Sequence, residues 1–187
     1  MELYRRTIEL IDANLVFCLI PIILTLILVE FFFQKRFETR KALNLIRWFI
    51  IFYTVITWTF YLIGMALNPE EYAFVSRATG RYKIAYWIMF SSALILPFTL
   101  LIKKLASKFW YVLLVGFCIK IGVYFERFVL LTISFHRDYL PENENTELIE
   151  SFLVRNGMIF LQGIIITIFT LTVLEVTKLR KTVHNPG

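Results

Sequence analysis

The sequence is poor in the residue types from which metal sites, haem sites and disulfides are built. Its 187 residues include two cysteines, Cys18 and Cys118, and two histidines, His136 and His184. The cysteines fall inside apolar runs without C-x-x-C spacing, so we expect two buried apolar thiols rather than a disulfide or a metal site. An intramembrane haem needs histidines inside helices, whereas these two lie at a helix mouth and in the tail. We therefore expect no metal and no haem on this chain.

Sequence motifs of self-contained enzymes are missing as well. There is no glycine-rich phosphate loop, no nucleophile elbow and no catalytic triad pattern, so we expect no active site carried by this chain alone. The N-terminus is a poor signal peptide, because its apolar stretch is too long and no small-residue cleavage site follows. We expect a retained first helix, with Glu30 at its far end paired to the loop that follows or reaching the interface.

The sequence is rich in long apolar segments. Hydrophobic residues make up 58% of the chain, the mean hydropathy is +0.69, and there are 19 phenylalanines, which a soluble domain of this size could not bury. A membrane crossing takes about 20 apolar residues. We predict an all-α integral membrane protein, with residues 1–187 in a single bundle: a four-helix bundle of helices 2–5 plus one N-terminal helix. The five predicted transmembrane helices cover 8–33, 43–66, 82–102, 109–135 and 152–174.

The distribution of lysine and arginine predicts the orientation of these helices. Five basic residues follow the first helix, three lie between the third and fourth, and three lie in the tail, against six on the opposite side. Because cytoplasmic loops carry the excess of lysine and arginine, we expect the N-terminus outside and the C-terminus in the cytoplasm. The basic residues set the topology and touch anionic lipid, and they do not imply a nucleic-acid partner.

The fourth predicted helix carries three charged residues, Lys120, Glu126 and Arg127. A charge at the centre of a membrane helix costs about 2.5–3.5 kcal/mol, so each of them needs a partner or a function. Lys120 follows Phe109 by 11 residues, which places it roughly 16 Å deep, near the middle of the membrane. Arg127 follows Lys120 by seven residues, so both point to one face of the helix.

Other charged residues supply candidate partners for this helix. Asp12 lies about one turn inside the outer boundary of the first helix, and we expect it to pair with Arg127. Arg155 in the fifth helix can pair with Glu126 or with Glu150, and the sequence does not choose between them. We predict a network for proton transfer, or a buried charge network; the alternative is a set of ion pairs that only fix the helix register. Its members are Glu126, Arg127, Lys120, Asp12 and Arg155.

Several local features complete the pattern. We expect Pro21 and Pro97 to kink the first and third helices, and a short helix before residue 82 to stop at Gly80. An acidic loop is expected between the fourth and fifth helices.

A spaced set of motifs resembles the membrane subunits of the NrfD/polysulfide-reductase family, and is most similar to the quinol-oxidising subunits of alternative complex III. These motifs are Y-A-F-V-S-R at 72–77, G-x-Y at 80–82, Y-W-I-M at 86–89, Pro97, G-x-Y-F-E-R-F at 122–128 and H-R-D-Y-L-P at 136–141.

The resemblance covers roughly residues 47–141 and implies the second of the family's two bundles. It implies a membrane subunit of a respiratory quinone-linked oxidoreductase complex in a bacterial inner membrane, which supports quinol oxidation or proton transfer. Because the family's quinol pocket belongs mainly to its first bundle, we expect no cofactor on this chain, and menaquinone or quinol elsewhere in the complex. Other membrane subunits and an outer-face iron–sulfur or cytochrome subunit would be its partners. The outer-face docking residues implied by the motif are His136, Arg137 and Asp138.

One departure and two alternatives accompany this interpretation. Around Pro97 the family has polar residues, whereas this chain has Leu96 and Phe98, which weakens a proton path through the third helix. One alternative is a purely structural accessory subunit of such a complex. The other is a small homo-oligomeric transporter or channel.

Overall fold

The computed structural model describes residues 2–33, 36–67, 74–81, 83–135 and 142–184, and it contains helices and no strand within these ranges. The predicted all-α class is confirmed, as expected for apolar segments that satisfy their own backbone groups. The helices, in chain order, are α1 (Glu2–Ile11), the π-helix π1 (Asp12–Val16), α2 (Leu19–Phe33), α3 (Thr39–Leu67), α4 (Phe74–Thr79), α5 (Lys83–Thr99), α6 (Lys103–Ala106), α7 (Phe109–Ile119), α8 (Ile121–Phe135) and α9 (Glu142–His184).

Three helical stretches in the described ranges are long and apolar enough to cross a membrane: Arg6–Phe33, Thr39–Leu67 and Leu153–Arg180. They correspond to the first, second and fifth predicted spans, and they are compatible with a membrane location. The third predicted span is the 17-residue helix α5. The fourth is divided at Lys120 into α7 and α8.

The shortness of α5 has a visible backbone cause. Pro97 lies inside the helix, and the amides of the three residues after Thr99 bond three positions back rather than four. Proline cannot donate a helical hydrogen bond and crowds the preceding turn, so the chain tightens and leaves the helix there. Leu100 N, for example, lies 3.2 Å from Pro97 O. A kink is expected at Pro97, and the structure shows instead that the helix ends within one turn of this proline.

The chain forms two compact units. The first contains residues 1–39 and 120–187, and the second contains residues 40–119. The N-terminal helix therefore belongs to one unit with α8 and α9, whereas the sequence predicts it as an addition to a four-helix bundle of helices 2–5. Side-chain chemistry explains the difference, since Pro21 and Gly163 allow α2 and α9 to approach closely. A Cβ atom added at Gly163 would lie 2.7 Å from Pro21 Cγ, the close approach for which membrane helices use small residues.

The core of the first unit lies between α2 and α9. Leu19, Ile23 and Leu26 on α2 are buried, as is Thr167 on α9. The Thr167 hydroxyl donates to Gly163 O at 2.8 Å and approaches Ile22 O at 3.4 Å. A threonine in an apolar helix is thus satisfied by its own backbone and by the neighbouring helix.

The second unit is built from α3 to α7, with α5 against α7. The hydroxyls of Thr99 and Tyr111 lie 2.6 Å apart and join the end of α5 to the start of α7. Trp58 on α3 donates its indole N–H to Ala93 O at 3.3 Å and packs edge-on against Phe90, with ring centroids 4.8 Å apart. Indole rings combine a large apolar surface with one donor, which suits them to joining helices in this way.

Two boundary predictions have different outcomes. Helix α4 ends at Thr79, immediately before Gly80, as predicted. The acidic segment from Glu142 onwards, expected to be a loop, is instead the start of α9, which runs for 43 residues to His184. At 1.5 Å per residue this helix is about 65 Å long, roughly twice the thickness of a bilayer core. Both ends of α9 therefore extend beyond any membrane that its apolar part crosses.

Candidate functional site

Asp12 is the first residue of the π-helix that interrupts the N-terminal helix. The amide of Phe17 bonds to Asp12 O at 3.0 Å, five residues back, which defines the widened turn. Residues 17 and 18 form a turn before α2 begins at Leu19. Pro21, one turn further on, has no N–H to offer the Phe17 carbonyl, so regular bonding is already lost here. Such π segments occur often at functional sites.

Lys120 forms the second half of the site. It lies between α7 and α8, and its ammonium nitrogen is 2.6 Å from Asp12 Oδ2. Only 16% of the Lys120 side chain and 21% of the Asp12 side chain are exposed. The ion pair therefore connects two places where the helical backbone is irregular, and it brings together two charges that cannot stay alone in an apolar environment.

This contact corrects the predicted partner of Asp12. Depth along the helix predicts Arg127 as the partner of Asp12, but Lys120 occupies that place. The guanidinium carbon of Arg127 instead lies 4.8 Å from the centroid of the Phe17 ring, a cation–π distance. Tyr124 packs edge-on against the same ring, with centroids 6.4 Å apart. Lys120, Tyr124 and Arg127 share one face of the helix, as their spacing predicts. That face points towards the π-helix region.

A polar contact beside the ion pair joins α9 to the π-helix. The Gln162 side-chain amide donates to Asn14 Oδ1 at 3.1 Å and lies 3.3 Å from Asn14 O. The Asn14 amide donates in turn to Leu10 O at 2.8 Å. One turn further along, the Cys18 thiol points to Ile159 O at 3.7 Å. Side-chain amides in apolar helices bond across to a neighbour in this way.

The remaining members of the predicted network lie apart from this cluster. Glu126 and Arg155 are exposed, and no ion pair joins them to each other or to other residues in the part of the chain that the structure describes. Their predicted pairing stays a prediction. The proposed outer-face docking residues His136, Arg137 and Asp138 lie outside the described residues.

A second polar cluster lies where α2 and α9 approach the connector to α3. The hydroxyl of Thr39, the first residue of α3, donates to Glu30, and the expected pairing of Glu30 with the basic loop stays a prediction. The backbone amide of Glu38 donates to Glu175 Oε1 at 3.0 Å, and Lys178 Nζ lies 3.3 Å from Glu38. Half of the Lys178 side chain is exposed, so this cluster fastens the connector to α9 at a wet surface.

Sequence reasoning missed the π-helix, the Phe17 ring and the Asn14–Gln162 contact. Pro21 signals an irregular helix, but the irregularity begins nine residues earlier, at Asp12. A polar amide in each of two apolar helices was the one available signal for the Asn14–Gln162 contact. Both cysteines are free and buried, as expected.

The chemistry of the site follows from these residues. It offers one carboxylate, one ammonium and two side-chain amides, so it can hold, accept or pass a proton between charged groups. The described residues include no group of three or more His, Cys, Asp or Glu residues that could hold a metal ion. No protein-family model, curated protein or solved structure matches the chain. The family resemblance therefore depends on the motifs quoted above.

Proposed function

We propose that this chain is a membrane subunit of a respiratory quinone-linked oxidoreductase complex, in which it supports quinol oxidation or proton transfer. The observation that carries the proposal is the largely buried Asp12–Lys120 ion pair at 2.6 Å, set where two helices are irregular. An intramembrane ionisable pair is by default a functional site. The motif that contains Glu126 and Arg127 supplies the specific link to the NrfD/polysulfide-reductase family.

The proposal includes five transmembrane helices, with α5 as the third and α7 with α8 as the fourth. At 1.5 Å per residue, 17-residue α5 rises about 25 Å, close to the roughly 30 Å of a bilayer core. Charge distribution supports an outer N-terminus and a cytoplasmic C-terminus in a bacterial inner membrane. In this arrangement the ion pair lies in the outer half of the membrane or near its middle.

The proton-transfer role belongs to the predicted network in this proposal, with the motif acid Glu126 as a required member and Asp12 and Lys120 as its closest pair. A carboxylate and an ammonium 2.6 Å apart can exchange a proton without intervening water. Quinol is assigned to a neighbouring subunit, because the motif match covers only the bundle that does not hold the family's quinol pocket. This chain would then contribute a half-path for protons beside that subunit.

One observation favours a second candidate, the purely structural accessory subunit. The close contact between Lys120 and Asp12 satisfies both charges within the chain, and such a pair can serve only to fix how α8 packs beside the π-helix. The two candidates differ in what happens when the charges are removed together. A structural pair replaced by apolar isosteres leaves proton translocation unchanged, whereas a proton path is broken.

The first experiment identifies the assembly. The full chain, tagged at its C-terminus, is purified from its native membrane in mild detergent, and the accompanying proteins are identified by mass spectrometry. We expect further membrane subunits together with an iron–sulfur or cytochrome subunit. Recovery of the chain alone, as a symmetric oligomer with no such subunits, would support the transporter or channel instead and would contradict the proposal.

The second experiment tests the motif residue within that assembly. We expect Glu126→Gln to lower quinol-driven turnover or proton translocation at least tenfold while the complex still assembles. Glu9→Gln is the matched control, because Glu9 is an exposed acid on α1 outside the motif. If Glu126→Gln and Glu9→Gln both leave turnover and translocation at wild-type values, the catalytic part of the proposal is wrong and the structural subunit remains.

A further inference from the structure

Helix α5 carries an open groove along one face in the second unit. The groove has a volume of about 720 Å³, within the range of about 300–1,000 Å³ typical of small-molecule sites. Its lining is almost entirely apolar and includes Ile84, Trp87, Ile88, Ser91 and Ile95. The groove therefore suits an apolar chain rather than a polar ligand.

Three cations lie close in sequence to the end of this groove at which α5 begins. Arg77, Arg81 and Lys83 are exposed, and within the described ranges no carboxylate forms an ion pair with any of them. Lys83 itself lines the groove. The groove thus runs from a mouth at Lys83, which Arg77 and Arg81 closely precede in the chain, to an apolar far end.

Two hydrogen bonds hold α4 and the turn that follows it beside the mouth of the groove. The amide of Lys83 donates to Gly80 O at 3.1 Å, which closes the turn between α4 and α5. The indole N–H of Trp87 donates to Ala78 O at 3.2 Å and ties α4 to the first turn of α5. Trp87 also lines the groove, so the element that carries Arg77 is attached to the wall of the groove itself.

We propose that this groove binds one anionic phospholipid. Arg77, Arg81 and Lys83 hold the phosphate of the headgroup, and an acyl chain lies along Ile84, Ile88 and Ile95. The length of the groove supports this occupant. The 11 residues from Ile84 to Ile95 rise about 16 Å, close to the roughly 15 Å of hydrocarbon in one leaflet.

A phospholipid fits this surface better than a neighbouring helix does. Within the described ranges no carboxylate pairs with the three cations, so they can bind the phosphate of an anionic headgroup. A helix seated here would need to supply acidic residues to the mouth and a narrow apolar ridge to the groove. The charge-based orientation places the mouth at the outer surface of the membrane.

The test measures lipid retention by the full-length chain. The chain is reconstituted in nanodiscs of equal parts phosphatidylglycerol and phosphatidylcholine, transferred to detergent, and analysed by native mass spectrometry. We expect one tightly retained phosphatidylglycerol, preferred over phosphatidylcholine at least tenfold. The variant Arg77→Gln/Arg81→Gln/Lys83→Gln should lose this preference.

Matched variants separate the site from general charge effects. Lys103→Gln/Lys104→Gln/Lys108→Gln removes the same charge from other exposed positions of the second unit and should keep the preference. Ser91→Phe fills the groove, leaves the three cations in place and should abolish retention. All of these positions are at least partly exposed, so the fold should tolerate the changes.

Three outcomes would overturn the proposal. The first is equal retention of phosphatidylglycerol by the wild type and by both triple variants. The second is displacement of the lipid by inorganic phosphate at millimolar concentration, which would indicate a site for the ion alone. The third is a protein cross-link, instead of a lipid adduct, from a photoreactive residue placed at Ile88. The measurement uses the chain by itself, so it stands apart from the proposed role in a respiratory complex.

Discussion

At the scale of single residues, the contact between Asp12 and Lys120 determines how the site responds to mutation. Both side chains are largely buried, so removing one partner leaves the other charge alone in an apolar environment. Breaking a buried pair in this way costs roughly 3–5 kcal/mol, whereas replacing both partners by apolar groups is often neutral. The double variant should therefore lose less stability than the sum of the losses in the two single variants.

We expect Lys120→Met to lower the melting temperature of the detergent-solubilised chain more than Asp12→Asn/Lys120→Met does. The physical reason is that the double variant leaves no unpaired charge. Melting is followed by circular dichroism, with Lys104→Met as the control, because Lys104 is an exposed lysine outside the pair. Additive losses in the double variant would mean that the two residues stabilise the chain independently, against the contact.

Gly163 offers a second test at this scale. A Cβ atom there would lie 2.7 Å from Pro21 Cγ, 2.8 Å from Pro21 Cβ and 3.3 Å from the Cys18 carbonyl oxygen. The proline ring is rigid, so α2 and α9 must separate to admit a methyl group. Overpacking of this kind costs about 1–3 kcal/mol.

Gly163→Ala should therefore lower the free energy of unfolding in a denaturant titration. Gly157→Ala is the matched control on the same helix, since a Cβ atom at Gly157 meets nothing within 4 Å. There the substitution should stabilise the chain by about 0.5–1 kcal/mol, because alanine is the better helix former. Equal effects of the two substitutions would show that α2 and α9 do not approach at Gly163.

At the scale of helices, the sequence predicts where apolar segments lie but not how they are interrupted. The three longest helices agree with predicted spans because hydropathy and backbone satisfaction act on every residue of a segment. The π-helix at Asp12–Val16 and the break at Lys120 meet in a contact between residues 108 positions apart. No local pattern encodes that contact, so depth alone selected Arg127 as the partner of Asp12.

The π-helix itself can be tested by a deletion. Removing Ala13 should convert the five-residue π segment into regular α-helix and rotate Asp12 by about 100° relative to α2. Asp12 would then point away from Lys120. In this background Lys120→Met should cause no further loss of thermal stability.

Deleting Glu9 is the control for this experiment. It shortens the same helix by one residue but leaves the register between Asp12 and α2 unchanged, so Lys120→Met should still destabilise that variant. Persistence of the full Lys120→Met effect after the Ala13 deletion would show that the π-helix does not position Asp12.

At the scale of the whole molecule, the number of membrane crossings decides on which side each loop lies. Both a three-span and a five-span arrangement place the N-terminus and C-terminus on opposite sides. They differ for the segment between α5 and α7, which contains Lys103, Lys104 and Lys108. With five spans this segment is cytoplasmic, as the excess of basic residues indicates. With three spans it stays outside.

Cysteine labelling of whole cells distinguishes these arrangements, and the chain is well suited to it. Its two native cysteines, Cys18 and Cys118, are 0% and 7% exposed, so background labelling should be low. We expect a membrane-impermeant maleimide to label Arg81→Cys at the outer surface and to leave Arg180→Cys unlabelled until the cells are lysed. Both positions are exposed, so accessibility depends only on the side of the membrane.

Lys104→Cys is the deciding variant, because it lies in the α6 segment on which the two arrangements disagree. Five crossings predict that it behaves like Arg180→Cys and reacts only after lysis, since three lysines in a short loop favour the cytoplasmic side. Labelling of intact cells at Lys104→Cys, together with Arg81→Cys, would mean that α5 and α7–α8 do not cross. Lys120 and Asp12 would then meet outside the hydrocarbon core, where an ion pair is worth about 1 kcal/mol or less, and an intramembrane proton path through them would lose its physical basis.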